Sequence, residues 1–212
     1  MKAVHYQAPG DFAVTDVPMP PVGPLDVLIK VHQSGVCGTD VHLHHGTYIG
    51  VYPLTPGHET IGEIEEVGTE VTRFQPGQRV TVDPNIYCGH CEYCLAGQLV
   101  RCANTEGTGT TAVGNICVPL TRNGGTVLVY GVTRPDERLS VSPFELFRRE
   151  ITIKGSYAEM TSFAAAISAL RTGRARTDGI ISHKFPLDDY GKALEALASD
   201  PTAHKVVIDL RS

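Results

Sequence analysis

Apolar positions along this chain follow two different rhythms. Up to Cys102 they come as short β-branched runs broken by Gly and Pro; beyond Gly125 they come as compact apolar runs and helically spaced faces. In the first part, Lys2-Ala3-Val4-His5-Tyr6 reads as an opening strand. Ala13–Val17 and Val27–Val31 follow, separated by the turn-rich Pro18-Met19-Pro20-Pro21-Val22-Gly23-Pro24. Gly62–Val67 and Arg79–Val82 add two further strands, with Gly68 and Gln75-Pro76-Gly77-Gln78 as punctuation. Many short strands with frequent Gly and Pro predict a β-barrel or sandwich.

After Cys102 the character changes. Asn104–Gly114 is rich in Gly and Thr and reads as a loop or junction; Asn115–Arg122 suggests a short helix, against which Pro119 argues. Gly125–Gly131 is an apolar run bounded by glycines, the pattern of a strand buried on both faces in a parallel sheet, and Ile151–Tyr157 is a second such run. Phe163, Ala164, Ile167 and Leu170 give Thr161–Arg171 one apolar helical face. Tyr190, Leu194 and Leu197 do the same for Asp188–Ser199, with Asp188 or Asp189 as its cap, and Val206–Leu210 is a last strand. The fold class expected is therefore mixed β and α/β.

Composition narrows the function classes. Apolar residues make up 42% of the 212 residues and charged residues 19%, ordinary for a globular protein. The net charge of −5 comes without a basic stripe, which argues against a nucleic-acid partner. No apolar run approaches the ~18 residues of a membrane span. The first residues enter strand-like sequence directly, without the charged head and apolar stretch of a secretion signal, so a cytoplasmic location is expected. In that reducing compartment the six cysteines should be thiols or metal ligands.

Cys88, Cys91, Cys94 and Cys102 form a C-x2-C-x2-C-x7-C pattern. Closely spaced thiolates on a tight loop supply the soft tetrahedral set that zinc prefers, and a site closed by four protein ligands is structural. Gly89 and Gly97 let the backbone turn around the ion. Three other readings stand beside this one. Disulfides suit neither the compartment nor the crowding. An iron–sulfur cluster would call for a C-x2-C-x2-C-x3-C-P run, which this spacing leaves at the fourth cysteine. Unrelated thiols would be a coincidence at this density.

A second constellation is more diffuse. Cys37 lies in Gly35-Val36-Cys37-Gly38-Thr39-Asp40, and His58 and Glu59 lie in Pro56-Gly57-His58-Glu59. Cys, His and a carboxylate are the mixed ligand set of a catalytic zinc with one open position. Taken alone, Cys37 could equally be plain core, and His58 a satisfied histidine in a turn.

Taken in order, these two constellations, Val41-His42, Gly77-Gln78-Arg79-Val80, Pro143-Phe144-Glu145-Leu146-Phe147-Arg148, Ile181-Ser182-His183-Lys184-Phe185-Pro186-Leu187 and Lys205-Val206-Val207-Ile208 strongly resemble the zinc-dependent medium-chain dehydrogenases, especially their polyol branch. The resemblance implies a GroES-like β-barrel catalytic domain over 1–106, a truncated Rossmann remnant over 107–157, and C-terminal helices and a strand over 158–212 that return to the catalytic domain. It implies that Cys37 and His58 bind a catalytic zinc and that Glu59 is a ligand or a carboxylate behind one. It assigns Thr39 the hydroxyl that passes the alcohol proton and His42 the relay to solvent. Asp40 would hold the loop, and Lys205 would lie near a cofactor pyrophosphate, although an exposed lysine beside a strand explains it as well. His44 and His45 match no family role and read as surface residues; Cys117 reads as a small buried hydrophobe.

The implied activity is oxidation of a polyol or secondary alcohol to a ketone with NAD or NADP, impaired by the missing Rossmann core. Gly107-Thr108-Gly109-Thr110-Thr111-Ala112 imitates a dinucleotide fingerprint, but no strand precedes it and no acidic residue follows at the right distance. The join falls near Glu106–Thr108. Besides the small-molecule alcohol, a second copy or a full-length homologue is a conceivable partner. The alternative is a non-catalytic zinc-binding remnant, or an interaction partner of such a homologue.

Overall fold

In a computed structural model, which describes residues 1–47, 50–99, 102–103, 118–129, 138–156 and 161–211, the chain divides into two compact units. One comprises residues 1–84 and 169–212, the other residues 85–168.

The first unit opens with an antiparallel hairpin of β1 (Lys2–Ala8) and β2 (Asp11–Asp16), turned at Gly10 with φ of +75°. β3 (Val27–Val36) is longer than expected and runs on to Gly35 and Val36, directly into the seven-residue α1 (Gly38–His44). β4 (Glu59–Val67) and β5 (Arg79–Thr81) follow, and the C-terminal part adds β8 (Ile181–Phe185), α5 (Tyr190–Ser199) and β9 (Lys205–Asp209). Five strands form one sheet in the order β5-β4-β3-β9-β8, antiparallel throughout except for the parallel β8–β9 pair. The expected barrel does not close among the described residues: β1–β2 remains a separate sheet, and Tyr6 makes an isolated bridge to Leu54, which lies outside the strands.

Burial explains why the end of the chain returns to β3. Val206, Val207 and Ile208 are all buried, so β9 can only be an interior strand. The apolar face of α5 sets Tyr190, Ala193 and Leu194, spaced i, i+3 and i+4, into one core with Val206 and Ile208 and with Val4 and Tyr6. The predicted cap residue Asp189 does precede α5, but its side chain makes no capping hydrogen bond; a short 3-10 turn over Leu187–Asp189 leads in instead.

The second unit contains α2 (Glu92–Leu95), β6 (Thr126–Val129), α3 (Pro143–Arg149) and β7 (Thr152–Gly155). β6 and β7 pair in parallel, with Thr126 opposite Thr152. Ser142 caps α3 by accepting from the Glu145 amide at 3.3 Å, Pro143 sits at its first turn, and Glu150 ends it in the left-handed region at φ 51°. The core here is small: Val118, Val127 and Ile151, flanked by Val141, Leu146 and Ile153. The expectation that β6 and β7 are buried on both faces is not met. Val127 points inward, but Leu128 is 53% exposed and none of the residues of β7 is fully buried. A parallel pair this short covers one face at most. α4 (Phe163–Arg171) has the predicted extent to within two residues but buries none of its residues completely.

The Gly/Thr-rich junction, the fingerprint look-alike at 107–112 and Cys117 lie outside the described residues, and of the suggested helix at 115–122 a single turn over 118–120 is described. Among the described residues no helix is long and apolar enough to cross a membrane.

Ile208 belongs to the main core of the first unit, whereas Leu25 is 72% exposed. Truncating Ile208 to Ala should cost about 2–5 kcal/mol, against within about 0.5 kcal/mol for Leu25→Ala. Urea denaturation followed by circular dichroism checks the contrast.

Candidate functional site

The register of β3 assembles a metal-ligand set in the first unit. β3 pairs with β4 through Gly35 opposite Glu59, and with β9 through Gly35 opposite Val207 and Val36 opposite Val206. Continuing those registers past the end of β3 puts Cys37 opposite Lys205 on the β9 side and, on the β4 side, one residue beyond the place where Val36 meets His58. Gly57, at φ +117°, provides the turn into β4 that a side chain would resist; its missing Cβ also spares Ser34 Oγ, which would lie only 3.0 Å away. Residues 21 apart in sequence thus meet, with Cys37 Sγ 3.1 Å from His58 Nε2. Cys37, His58 and Glu59 each place one ligand atom within 4.8 Å of the others.

α1 holds the cysteine in place. Cys37 is its N-cap, in extended conformation, and its sulfur accepts a hydrogen bond from the Thr39 amide at 3.3 Å. The Cys37 amide donates to Asp40 Oδ2 at 2.9 Å, so cap and first turn tie each other down. Asp40 therefore fixes the loop, as expected. It is 2% exposed, and burial raises its carboxyl above the ordinary range, while the Cys37 amide and the charges of His58 and Lys205 pull it back down. Thr39 is fully buried beside it.

His58 is held above its ordinary value, first by the hydrogen bond to Cys37; burial works against this, and the negative charges of Cys37, Asp40 and Glu59 add to it. Such a pocket attracts positive charge. A tetrahedral zinc with bonds of ~2.3 Å to sulfur and ~2.0 Å to nitrogen would separate those two atoms by about 3.5 Å. The observed 3.1 Å is that arrangement drawn in to a hydrogen bond, and three donors of this chemistry fit zinc with a position left open.

Glu59 also forms an ion pair with Lys205, through Oε2. Gly35 makes the pair sterically feasible: a methyl there would collide with Glu59 Oε2 and approach Lys205 Cε to 3.1 Å. No sequence pattern announced this pairing, because it depends on two strands far apart in the chain flanking the same glycine. His42 Nδ1 lies 2.9 Å from Thr47 Oγ1, whose hydroxyl donates to the His42 carbonyl, so the ring donates from Nδ1 and keeps Nε2 as acceptor. His45 is exposed, as expected, but His44 is not a plain surface residue. It is half-buried, its Nδ1 is 3.0 Å from the Tyr6 hydroxyl, and its ring meets Tyr6 and Phe12 edge-on. Burial and the neighbouring His45 lower its affinity for a proton. Its missed role reflects an aromatic cluster built from β1, β2 and α5 that periodicity within α1 does not reveal.

In the second unit Cys88, Cys91, Cys94 and Cys102 place their sulfurs within 4.8 Å of one another, as free thiols. The loop folds back through the Cys88 amide to Cys102 Sγ at 3.3 Å and the Cys91 amide to Cys88 Sγ at 3.4 Å, with Gly89 and Gly97 at φ of +77° and +71°. The 4.0 Å between the sulfurs of Cys88 and Cys94 is about twice a disulfide bond, and close to the ~3.8 Å edge of a zinc–thiolate tetrahedron. Crowding divides the thiols: backbone amides lower Cys91, while burial lifts Cys94 to about 12 and the neighbouring sulfurs push it the same way. Four donors fit a closed structural zinc.

A dinucleotide is less well served. β6, α3 and β7 make one βαβ crossover, but the sequence after β6 reads Tyr130-Gly131-Val132-Thr133-Arg134, without the glycine series of a pyrophosphate turn. These residues do not fit that role by themselves. A cavity of about 350 Å³ lies between Val118, Pro119, Ser142, Glu145 and Arg149. The Arg149 guanidinium there is already engaged by the carbonyls of Val118 and Thr121 and by Asn123 Oδ1.

Residues 23–137 match the family model of the alcohol dehydrogenase GroES-like domain. D-arabinitol dehydrogenase 1 of Uromyces fabae is 24% identical over an alignment that covers 94% of this chain and 94% of that protein. L-threonine 3-dehydrogenase of Rhizobium etli is 44% identical over 128 residues, 56% of this chain and 37% of that protein. A solved structure from Sinorhizobium meliloti, designated a zinc-binding dehydrogenase and bound to NADP, superposes with a TM-score of 0.84 at 22% identity, covering 98% of each chain.

Were zinc to bind at Cys37, His58 and Glu59, the raised proton affinity of His58 would set the pH dependence of that binding. A raised histidine keeps its proton's stabilisation fully below its ordinary value near 6.5 and loses it as pH rises through the raised value. Zinc needs the same nitrogen bare, so its affinity here should climb with pH over that interval, by about tenfold per pH unit for each proton displaced. Competition with a chromophoric chelator from about pH 5 to 8 measures this. A flat profile, or one unchanged in His58→Ala, would contradict the assignment.

Proposed function

Since the chain belongs to the alcohol dehydrogenase GroES-like family, among the zinc-dependent medium-chain alcohol and polyol dehydrogenases, we propose that it carries the metal-binding and proton-handling half of an oxidoreductase acting on a polyol or secondary alcohol. The observation that carries this reading is the convergence of Cys37, His58 and Glu59 on one point, beside buried Thr39. Cys37, His58 and Glu59 would hold a catalytic zinc, and Cys88, Cys91, Cys94 and Cys102 a structural one. When bound, the catalytic ion supplies Lewis acidity that makes an alcohol hydroxyl easier to deprotonate.

The residues of the chain do the rest. Asp40 and the Thr39 amide keep Cys37 at the head of α1. The Thr39 hydroxyl takes the alcohol's proton, and His42, steadied through Nδ1 by Thr47, receives it on Nε2 and releases it to solvent. The substrate class follows the relatives: D-arabinitol offers secondary hydroxyls, and L-threonine is attacked at its 3-hydroxyl by an enzyme of that name.

Hydride acceptance belongs to NAD or NADP in such enzymes, and here the coenzyme half is short. The alignment to the D-arabinitol enzyme extends over 329 residues, whereas this chain has 212, which supports the loss of an internal stretch of the Rossmann domain. Lys205 would be a remaining contact to the coenzyme phosphates. Turnover by the chain alone is therefore weak, since holding hydride donor and acceptor together supplies much of the rate. A second reading, pairing with a full-length homologue through β6 and β7, is favoured by Phe144 and Phe147, 64% and 82% exposed on α3. Native mass spectrometry of the mixed chains tests that pairing directly.

Metal analysis should return about two zinc ions per chain, falling to about one in Cys37→Ser. With D-arabinitol and either coenzyme, turnover should lie at least about 100-fold below that of a full-length relative. Any residual activity should drop a further ~100-fold in Thr39→Val. A well-folded chain without metal would refute the whole reading, and full-speed turnover would refute the impairment.

A further inference from the structure

The hairpin of β1 and β2 is a sheet of its own, so it is joined to the rest of the first unit by side-chain packing and an isolated bridge. Tyr6 stands at the centre of both. Its backbone exchanges hydrogen bonds with Leu54, at 2.8 and 3.0 Å, and its fully buried ring meets Tyr52 and Tyr190 edge-on. Its hydroxyl lies 3.0 Å from His44 Nδ1, in the last turn of α1. The half-buried His44 ring also meets Phe12 of β2 and its neighbour His45. A neutral His44 can accept the Tyr6 hydrogen on Nδ1 and keep its own on Nε2. An imidazolium cannot, because both of its nitrogens are donors. Protonation therefore takes the acceptor away from a buried hydroxyl, and it turns that hydrogen back toward Tyr190, whose own buried hydroxyl has no hydrogen-bond partner among the described residues.

We propose that His44 is an acid-sensitive latch: neutral, it anchors the N-terminal hairpin to α1 through the Tyr6 hydroxyl, and on protonation it releases that anchor. The device stands on the fold alone and needs neither a metal nor turnover. Burial first, and His45 second, lower the proton affinity of His44. A histidine lowered by folding contributes stability that is complete above its ordinary value of 6.5 and is lost as pH falls through the lowered value. The other titratable groups of the cluster are Tyr6 from β1, His45 from α1, Tyr190 from α5 and Tyr52 from the segment before β4, with the charge of Asp40 felt at Tyr6 and Tyr190. β2 contributes uncharged Phe12. Burial pushes Tyr6 up to about 12 and raises Tyr52 and Tyr190 as well, so the tyrosines keep their protons in this range. His5 lies on the same strand as Tyr6 but points to its opposite face.

Hydrogen–deuterium exchange of the purified chain, read peptide by peptide and corrected for the intrinsic pH dependence of exchange, tests the latch. From about pH 7.5 to about pH 5.5, protection of β1 and β2 should fall by about threefold or more, while β4 and β5 keep theirs to within about twofold. His44→Gln, which retains an acceptor for the Tyr6 hydroxyl but does not titrate, should abolish the fall; His45→Gln should preserve it. A second measurement needs no variant: in the wild type, the hairpin amides followed by NMR should shift with the same midpoint as the His44 ring, below its ordinary value. Protection that is indifferent to pH, that falls equally in β4 and β5, or that falls as far in His44→Gln would overturn the proposal. Hairpin amides that follow a midpoint other than that of His44 would overturn it too.

Discussion

The candidate metal site of the first unit depends on one constraint: the register of β3 against two strands that reach it from different parts of the chain. Hydrogen bonding to β4 fixes Gly35 opposite Glu59, and hydrogen bonding to β9 fixes Val36 opposite Val206. A slip of one residue would break the Gly35–Glu59 and Val36–Val206 pairs from which the approach of Cys37 to His58 follows. What prevents the slip is burial. Val36, Val206, Val207 and Ile208 are interior, and α5 closes over them with Tyr190, Ala193 and Leu194. The hydrophobic core of the first unit and the geometry of its ligands are thus one interaction seen at two distances: sheet registry is paid for by apolar burial, and the ligands ride on it.

The two centres solve opposite problems. The four-cysteine loop has little core of its own, and its described residues are mostly exposed around the thiols. A closed metal there would do what burial does elsewhere, since binding free energy becomes folding free energy when the site exists only in the folded loop. The Cys37 cluster is preorganised by a cap, a sheet and a buried carboxyl before any ion arrives. Its three donors leave a coordination position unfilled. Structure-making and chemistry-making sites are distinguished by what already holds them, and here each has the support suited to its role.

Much of this was legible in the sequence, for physical reasons that differ by element. The cysteine loop was readable because its ligands are local, so spacing alone determines which sulfurs can converge. The faces of α5 and the interior character of β9 were readable from apolar periodicity. Cys37 and His58 were not readable from spacing, since a sheet register joins them; their residue types suggested a ligand set, and the order of motifs resembling a family strengthened it. The double burial expected of β6 and β7 failed because an apolar run bounded by glycines reports hydrophobicity, not the number of strands available to cover it: Leu128 carries the right chemistry and still stands 53% exposed. His44 was misjudged because its partners, Tyr6 and Phe12, lie on the hairpin and not on α1.

Glu59 shows where residue identity stops being informative and charge balance takes over. A carboxylate beside a cysteine and a histidine reads as a ligand; the same carboxylate beside an ammonium reads as a salt bridge. Neither label follows from its position in Pro56-Gly57-His58-Glu59, because Lys205 arrives from β9. What decides is the electrostatic sum around it. The cluster gathers a thiol, a buried Asp40 and Glu59 itself against His58 and Lys205, and His58 holds its proton first through the hydrogen bond to Cys37 and then through the negative groups around it. A dication held there by Cys37 and His58 would need the ring nitrogen bare and would supply the positive charge that the cluster lacks. Geometry separates the two side chains: His58 lies against Cys37, while Glu59 is paired with Lys205.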